Sequence, residues 1–332
     1  MMKQAIIRSG KGIGTVAVGE APIPDIGPGE ALVRLRAATF NYRDLIVAKG
    51  LIPGIGKEPD LVPLSCGAGE VVAVADGVGR VGPGDRVMPI FATGWLDGPR
   101  TVSTMLGGSV DGVARQYAAF PAESLCHIPD ELGDLDAATL ACAALTSWSA
   151  LTGFRATRPG DWILTHGTGG VSIAALQLAK AMGANVAITS SSDAKLNRAR
   201  SLGADIALNY RDTPDWADAL RRQLGGARIA NVIDTVGASH FDANASILAE
   251  DGQLSAIGML GASFSWDTQD SPVNIARIGV GNRAQHEAMT DFIVGHRIRP
   301  VVDVVYDLDR IDDAYRAIEG GRFFGKVALN LL

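Results

Sequence analysis

A glycine-rich turn at residues 167–172, with the sequence GTGGVS, is the segment best suited to hold a charged ligand. The run before it, DWILTH, predicts a strand, and the stretch VSIAALQLAKAMG predicts a helix that stops at Gly183. Glycines bring backbone N–H groups close to a pyrophosphate, and the helix N-terminus directs more of them at it. In the pattern G-x-G-x-x-G, Ser172 takes the position of the third glycine, where a small side chain is needed. The residues predicted to bind a dinucleotide are Gly167, Thr168, Gly169, Gly170 and Val171.

The next segment, ITSSSDAKLNRAR, indicates which dinucleotide is bound. Ser190 ends the second predicted strand, where a protein that binds NAD usually carries an acid for the ribose 2′-hydroxyl. The hydroxyls of Ser190 and Ser191 and the ammonium of Lys195 suit a 2′-phosphate, which a carboxylate would repel. The segment therefore predicts NADPH, with Tyr210 placing a hydroxyl or a ring face near the adenine. A solvated Lys195 on the helix surface is the alternative interpretation.

The elements after about residue 130 alternate between strands and helices of similar length. Strands are predicted at NVAITS, DIALNY, IANVIDTVG and QLSAIGML, and helices at DAKLNRARSLG, DWADALRRQLGG and HFDANASILAEDG. This alternation indicates a doubly wound parallel sheet. Ligands bind at the carboxyl ends of the strands in such sheets, which predicts cofactor contacts at Val236, Gly237, Ile257 and Gly258.

The rest of the chain has a different pattern. Up to about residue 125, short alternating runs such as EALVRLRAATF are separated by Gly and Pro clusters, which predicts a β-rich domain with a surface loop between Phe91 and Val113. The tail from about residue 281 predicts helices at QHEAMTDFIVG and IDDAYRAIEGG and strands at PVVDVVYDL and GKVALNLL. The apolar region after Gly258 is a candidate for pairing across a two-fold axis.

Composition excludes several classes of function. With 332 residues, 47% of them apolar, the chain has material for about two domains with real cores. A net charge of −6 argues against nucleic-acid binding. The three cysteines are widely spaced and form no C-x-x-C pair, which supports neither a disulfide framework nor a zinc ribbon and favours a reducing cytoplasm. The uncharged stretch at residues 137–154 is mostly Ala, Thr and Ser, so we expect a buried helix and no membrane span.

Five motifs together resemble the medium-chain dehydrogenase/reductase superfamily, and most closely its zinc-free quinone oxidoreductase branch. They are FNYRDLIVAKG, GAGEVVAVADGVGRVGPGDRV, GTGGVSIAALQLAKAMGA, KLNRARSLGAD and FGKVALNLL. The resemblance implies an α/β fold with a GroES-like β-rich catalytic domain at residues 1–125, completed by residues 281–332. A Rossmann cofactor domain with a doubly wound parallel sheet is implied at residues 126–280, together with a cleft at the domain junction and, commonly, a homodimer.

The resemblance also bears on metal binding. Zinc enzymes of the superfamily hold their catalytic metal with Cys, His and Cys. The matching positions here are Asn41, Ser65 (where a Gly-His-Glu would stand) and Cys142, so only the last position matches. A single thiolate cannot supply the three protein ligands that catalytic zinc requires. The loop at residues 92–112 contains no cysteine for a structural site. We therefore expect a metal-free protein in which Cys142 is a small buried residue.

Carried over by motif, Asn41 and Tyr42 are expected beside the nicotinamide. Asn41 would donate a hydrogen bond to a substrate carbonyl, and Tyr42 a hydrogen bond or a proton; the alternative is that Asn41 caps a turn and Tyr42 packs against the domain. Asp44 is expected to pair with Lys326 near the cofactor. His166 is expected to be structural. Further cofactor contacts are expected from Thr146, Val280, Gly281 and Phe324, and a substrate pocket from Trp95, Leu96 and Phe323, with a loop anchor as the alternative for Trp95 and Leu96.

Without a metal, reduction of a quinone or of a polarised C=C bond is easier than oxidation of an unactivated alcohol, because the developing charge spreads onto a carbonyl oxygen. The sequence therefore favours a cytoplasmic NADPH-dependent reductase of small-molecule quinones, enones or enals. Two alternatives stay open. One is a zinc-independent alcohol or carbonyl oxidoreductase, and the other is a non-catalytic NADPH-binding protein of the same fold.

Overall fold

The computed structural model describes residues 1–8, 11–51, 60–102, 104–258 and 273–332. The chain divides into two compact units. The first contains Met1–Leu145 and Val280–Leu332, and the second contains Thr146–Gly279. The chain passes from the first unit to the second after Leu145, which is later than the predicted boundary after residue 125. The region after Gly258 that was a candidate for pairing across a two-fold axis lies mostly at residues 259–272, outside the described residues.

The strands and helices of the described residues have the following bounds. The strands are β1 Met2–Ile6, β2 Ala17–Ala21, β3 Glu30–Thr39, β4 Cys66–Val74, β5 Arg86–Pro89, β6 Tyr117–Pro121, β7 Leu125–His127, β8 Trp162–His166, β9 Asn185–Ser190, β10 Ile206–Asn209, β11 Ile229–Asp234, β12 Leu248–Ala256, β13 Asn274–Arg277, β14 Val302–Asp307 and β15 Lys326–Asn330. The helices are α1 Tyr42–Lys49, α2 Asp134–Ala137, α3 Leu145–Thr152, α4 Gly170–Ala181, α5 Asp193–Ser201, α6 Trp216–Gln223, α7 Phe241–Ile247, α8 Arg283–Gly295 and α9 Ile311–Gly320.

The first unit is built on a sheet in the order β14-β15-β3-β4-β5-β7, with β6 paired to β3. In β3, Ala31, Val33 and Leu35 are fully buried at alternate positions, as the period of a half-buried strand predicts. Helix α9 packs over this core, where the ring of Tyr315 meets that of Phe40 edge-on, with centroids 5.0 Å apart. The sheet thus joins the amino-terminal strands to β14 and β15, and the predicted β-rich fold is confirmed.

The second unit contains a parallel sheet in the order β10-β9-β8-β11-β12-β13. Counted within the unit this order is 3-2-1-4-5-6, the doubly wound Rossmann arrangement. The strand order reverses between β8 and β11, so ligands are expected outside the carboxyl ends of these two strands. The predicted parallel sheet is confirmed.

One predicted element is wrong in part. The segment HFDANASILAEDG was predicted to be a helix, but α7 ends at Ile247 and Leu248 already pairs with Ile229 of β11. The polar residues Glu250 and Asp251 lie at the exposed start of β12, and Gly252–Ala256 is buried in the sheet. Pairing with β11 satisfies the backbone there, and this tertiary contact overrides the local helical pattern.

The uncharged stretch at residues 137–154 is not one continuous helix. It is divided between the end of α2, a π-helical turn at Leu140–Ala144, and α3. Its first part is buried, as expected. No helix among the described residues combines the length and the hydropathy that a membrane span requires.

Candidate active site and cofactor site

The glycine-rich turn joins β8 to α4, as the sequence predicts. Strand β8 ends at His166 and α4 begins at Gly170, one residue earlier than the start of the VSIAALQLAKAMG run. Gly167 has a φ of +74°, a conformation that glycine adopts without strain. A Cβ atom added at Gly167 or Gly169 would meet no described atom within 4 Å, so this surface is open. The hydroxyl of Ser172 donates to the carbonyl of His166 at 2.6 Å, which ties the helix to the strand.

His166 lies beneath this turn in a buried hydrogen-bond chain. Its Nε2 donates to Asn244 Oδ1 at 2.9 Å, because the Asn244 amide nitrogen donates to Asp234 Oδ2 at 3.1 Å. Its Nδ1 accepts from the hydroxyl of Thr189 at 2.9 Å. Burial lowers the pKa of His166, so the ring is neutral. These contacts fit the structural role expected for His166.

Four predicted cofactor residues come together around Asp234, which the sequence analysis did not single out. Its carboxylate Oδ1 accepts from the N–H groups of Val236 at 2.7 Å and Gly237 at 2.9 Å. Its carbonyl accepts from the N–H groups of Ile257 at 3.0 Å and Gly258 at 2.8 Å. A Cβ atom on Gly258 would lie 2.6 Å from the nitrogens of Val236 and Gly237, so only glycine fits. These four N–H groups are therefore already bonded inside the protein and are not free for a ligand.

Ser190 and Tyr210, predicted near the 2′-phosphate and the adenine, lie at the ends of adjacent strands. Ser190 ends β9 and is buried, and the N–H of Tyr210 donates to its carbonyl at 3.1 Å. Tyr210 is half-exposed, and Lys195 lies in the first turn of α5. Asp193, an acid that the sequence analysis passed over, accepts from the amide of Asn209 at 3.0 Å. The structure thus brings Ser190 and Tyr210 together. Contacts of Ser190 with the 2′-phosphate and of Tyr210 with the adenine end stay predictions.

In the first unit, Asn41 is held by bonds inside the protein. Its amide nitrogen donates to the hydroxyl of Ser65 at 3.3 Å and to the sulfur of Cys66 at 3.1 Å. Its amide oxygen accepts from the ammonium of Lys326 at 2.6 Å. Asn41 also stands directly before α1 as its N-cap residue. Donation to a substrate carbonyl would break one of these bonds, so the structure favours the capping alternative and a positioning role.

The expected pairing of Asp44 with Lys326 needs correction. In the part of the chain that the structure describes, Asp44 accepts from the backbone N–H of Asn41 at 2.8 Å and from Arg43 at 3.2 Å. Lys326 instead donates to Asn41 Oδ1 and to the carbonyl of Phe40. Each carboxylate oxygen of Asp44 thus accepts a hydrogen bond from another group. Asn41 bonds to both Asp44 and Lys326, so it lies between the two charged side chains. Burial raises the pKa of Asp44, while Arg43, the Asn41 N–H and Lys326 oppose this effect.

Two thiols complete this cluster, and one of them was missed. Cys66 and Cys142 are buried and belong to the same small apolar cluster. Burial raises the pKa of Cys66, but the Cys142 thiol, Lys326 and Asn41 outweigh it and hold that pKa below its usual range. Interaction with the Cys66 thiol, followed by burial, raises the pKa of Cys142. The sequence could have indicated Cys66 by its position, because it directly follows Ser65 and stands where the glutamate of Gly-His-Glu would be.

The loop at Trp95 and Leu96 borders the thiols. Trp95 packs against the small apolar cluster that contains Cys66 and Cys142. The carbonyl of Trp95 accepts from the N–H of Arg283 at 3.0 Å, and that of Leu96 from the N–H of Ala284 at 3.2 Å. The loop is thus anchored to the start of α8, which fits the anchor alternative. A substrate wall formed by Trp95 is compatible with the same placement and stays a prediction.

The remaining predicted residues occupy different environments. Tyr42 is 43% exposed at the start of α1, so its hydroxyl role and its packing against the domain both stay predictions. Phe323 packs against the main core of the first unit, and Phe324 is buried. Gly281 has a φ of +155° and approaches Leu145 so closely that a Cβ atom would clash. Thr146 is buried in α3, and Val280 packs against the cluster that contains Cys66 and Cys142. The cofactor and substrate contacts expected of all these residues stay predictions.

The residues present do not fit a catalytic zinc ion. Asn41, Ser65 and Cys142 supply an amide, a hydroxyl and a thiol, and the amide oxygen is bound to the ammonium of Lys326. Among the described residues, no three His, Cys, Asp or Glu side chains converge in a metal-binding group. Catalytic zinc requires three protein ligands of the imidazole, thiolate or carboxylate kind.

Comparison with known proteins identifies the family. Residues 27–130 match the profile of the alcohol dehydrogenase GroES-like domain, and residues 170–294 match that of the zinc-binding dehydrogenase domain. A zinc-type alcohol dehydrogenase-like protein of Schizosaccharomyces pombe is 39% identical over 92% of both chains. The chain belongs to the medium-chain dehydrogenase/reductase superfamily. An alcohol dehydrogenase of Geobacillus stearothermophilus is 33% identical over 99% of both chains.

Solved structures of this superfamily share the fold. An NAD-dependent alcohol dehydrogenase superposes with a TM-score of 0.90 at 30% identity, over the whole of both chains. A quinone oxidoreductase from Coxiella burnetii has a TM-score of 0.84 at 22% identity, over 100% of this chain and 99% of that one, and shows the fold alone. The relatives support an oxidoreductase that uses a nicotinamide cofactor and acts on a small molecule.

Proposed function

We propose that this dehydrogenase/reductase is an NADPH-dependent reductase of quinones or α,β-unsaturated carbonyl compounds that works without a metal. The observation that carries the proposal is the group at the aligned zinc-ligand positions, where Asn41 and Ser65 stand in place of Cys and His and only Cys142 matches. The ammonium of Lys326 bonds to Asn41 at this place. Zinc promotes alcohol oxidation by acidifying the alcohol. A conjugated carbonyl compound has less need of such help, because its own oxygen takes the developing charge.

The roles of the chain's residues follow from their placement. NADPH supplies the hydride when it is bound. Asn41 is fixed by Lys326, Ser65 and Cys66, and it immediately precedes Tyr42 at the start of α1. Tyr42 projects an exposed side chain from this fixed point, so its phenol can donate a proton or hydrogen bond to the developing enolate oxygen.

A substrate screen combined with metal analysis tests the proposal. The purified protein is offered NADPH with a quinone, an enone and a saturated aldehyde, and NADP⁺ with a simple alcohol, and its zinc is measured by mass spectrometry. We expect consumption of NADPH with the quinone or the enone, no alcohol oxidation, and substoichiometric zinc. Stoichiometric zinc together with alcohol turnover would overturn the proposal.

A second candidate function is oxidation of alcohols or reduction of simple carbonyls without zinc. The relatives named alcohol dehydrogenases favour it. Turnover of the alcohol or the saturated aldehyde by protein that contains no zinc, without turnover of the enone, would support this second function. NADPH binding without turnover of any compound would instead indicate a non-catalytic binding protein. We further propose that the protein is cytoplasmic and forms a homodimer. Light scattering of the purified protein would test the homodimer.

Lys195→Ala is expected to raise the KM for NADPH about tenfold or more and to leave the KM for NADH unchanged, because one charge-assisted hydrogen bond to the 2′-phosphate is lost. Steady-state kinetics with both cofactors measure this. Lys180→Ala is the matched control, since this lysine of α4 pairs with Asp205 on the surface. Equal KM values for NADPH and NADH in the unmodified protein would contradict the predicted selectivity.

A further inference from the structure

The proposed reaction gives no chemical step to Cys66 or Cys142, two of the three cysteines of the first unit. Cys66 begins β4, and Cys142 lies in the π-helical turn at Leu140–Ala144 that packs against this strand. They are 76 positions apart in sequence, yet their side chains belong to the same small buried cluster. Cys66 is completely buried, whereas Cys142 is 9% exposed. The pair is therefore preassembled, with one sulfur at the edge of the cluster.

The surroundings of Cys66 favour a negative charge on its sulfur. The amide nitrogen of Asn41 donates to it at 3.1 Å, and the hydroxyl of Ser65 lies 3.7 Å away. Lys326 is bound to the same asparagine and adds positive charge nearby. Of the charges here, the part-buried Arg43 and the buried Lys326 are positive and the buried Asp44 is negative, so an anionic sulfur would balance the group. A thiolate is the nucleophilic form of cysteine.

We propose that Cys66 and Cys142 are a peroxide-oxidisable pair that forms a reversible intramolecular disulfide. The Cys66 sulfur attacks an oxygen of a hydroperoxide, the O–O bond breaks, and the leaving oxygen takes a proton to give water or an alcohol. The Cys142 sulfur then attacks the resulting Cys66 sulfenic acid, the S–O bond breaks, and the departing hydroxide takes the Cys142 thiol proton as water. Two thiols lose two electrons in total, and the hydroperoxide gains them.

The third cysteine provides an internal control. Cys126 lies in β7 and is buried, and burial together with Glu287 raises its pKa to about 12. Its thiol is therefore protonated and unreactive. A selective oxidation must leave Cys126 as a thiol, whereas oxidation through unfolding would expose all three cysteines equally.

Peptide mapping of the full chain tests the pair directly and requires neither cofactor nor turnover. The folded protein is treated with hydrogen peroxide, blocked with N-ethylmaleimide in denaturant, and digested. We expect a disulfide-linked peptide pair that contains Cys66 and Cys142, an alkylated Cys126, and full reversal by dithiothreitol. Cys126→Ser should keep the linkage, and Cys142→Ser should replace it with a Cys66 sulfenic acid that dimedone captures.

Free, alkylated Cys66 and Cys142 after peroxide treatment of the folded protein would overturn the proposal. A disulfide that involves Cys126 would do so as well. The wild-type map decides the question even if a substituted chain fails to fold. The proposal does not rest on the proposed function, so an inactive protein that still forms this disulfide would separate the two.

Discussion

Tyr42→Phe is expected to lower the kcat for reduction of an enone or quinone by about 100-fold, because the variant cannot donate a proton or hydrogen bond to the developing oxyanion. The KM for NADPH should not change, since the ring and the start of α1 are retained. Asn41 and its bonds to Cys66 and Lys326 do not involve the phenol hydroxyl, so the local structure should persist. Steady-state kinetics with varied NADPH and with varied acceptor separate these two constants.

Tyr306→Phe is the matched control, because it removes a phenol hydroxyl from β14 of the same unit. Its kcat should equal that of the wild type. If Tyr42→Phe also turns over at the wild-type rate, Tyr42 has no part in the mechanism, and the proton must come from water or another group. A solvent isotope effect that survives in the variant would point to the same conclusion.

The parts of the fold that local sequence signals could predict are those with a strong short-range pattern. The turn at Gly167–Ser172 was placed correctly because strand, glycines and helix follow one another within a few residues. Ser190 and Tyr210 were placed at adjacent strand ends because the alternation of elements implies a parallel sheet. These inferences need no knowledge of distant contacts.

Contacts between distant residues could not be predicted in the same way. The cluster of Asn41, Cys66, Cys142 and Lys326 joins four separate segments, and its hydrogen-bond partners depend on side-chain positions within a few tenths of an ångström. The family pattern implied an acid–base pair of Asp44 with Lys326, but Arg43 and the Asn41 N–H occupy the carboxylate. For the same reason, the role of Asp234 as the acceptor of four backbone N–H groups was not visible in the sequence.

A buried histidine outside the candidate site makes stability depend on pH. His286 lies in the first turn of α8 and is completely buried. Among the described residues, neither of its ring nitrogens has a hydrogen-bond partner. Burial lowers the pKa of His286 from an ordinary 6.5 to about 4, so the ring is neutral in the folded protein.

The direction of the effect follows from proton linkage. As the pH falls below 6.5, His286 in the unfolded chain binds a proton that the folded chain does not bind until about pH 4. The full stability contributed by the neutral ring is present above pH 6.5 and is lost between pH 6.5 and pH 4. The loss from this one group amounts to about 3 kcal/mol.

His286→Leu is therefore expected to flatten the decline of stability between pH 6.5 and pH 4 by about 3 kcal/mol, because leucine does not titrate. At neutral pH it should stabilise by roughly 1 kcal/mol, since no unpaired ring nitrogen is left buried. Urea unfolding at a series of pH values measures both effects. His127→Leu, at an exposed histidine of β7, is the matched control for replacing a histidine with leucine. A His286→Leu curve parallel to that of the wild type would show that buried water or local opening already lets this imidazole titrate.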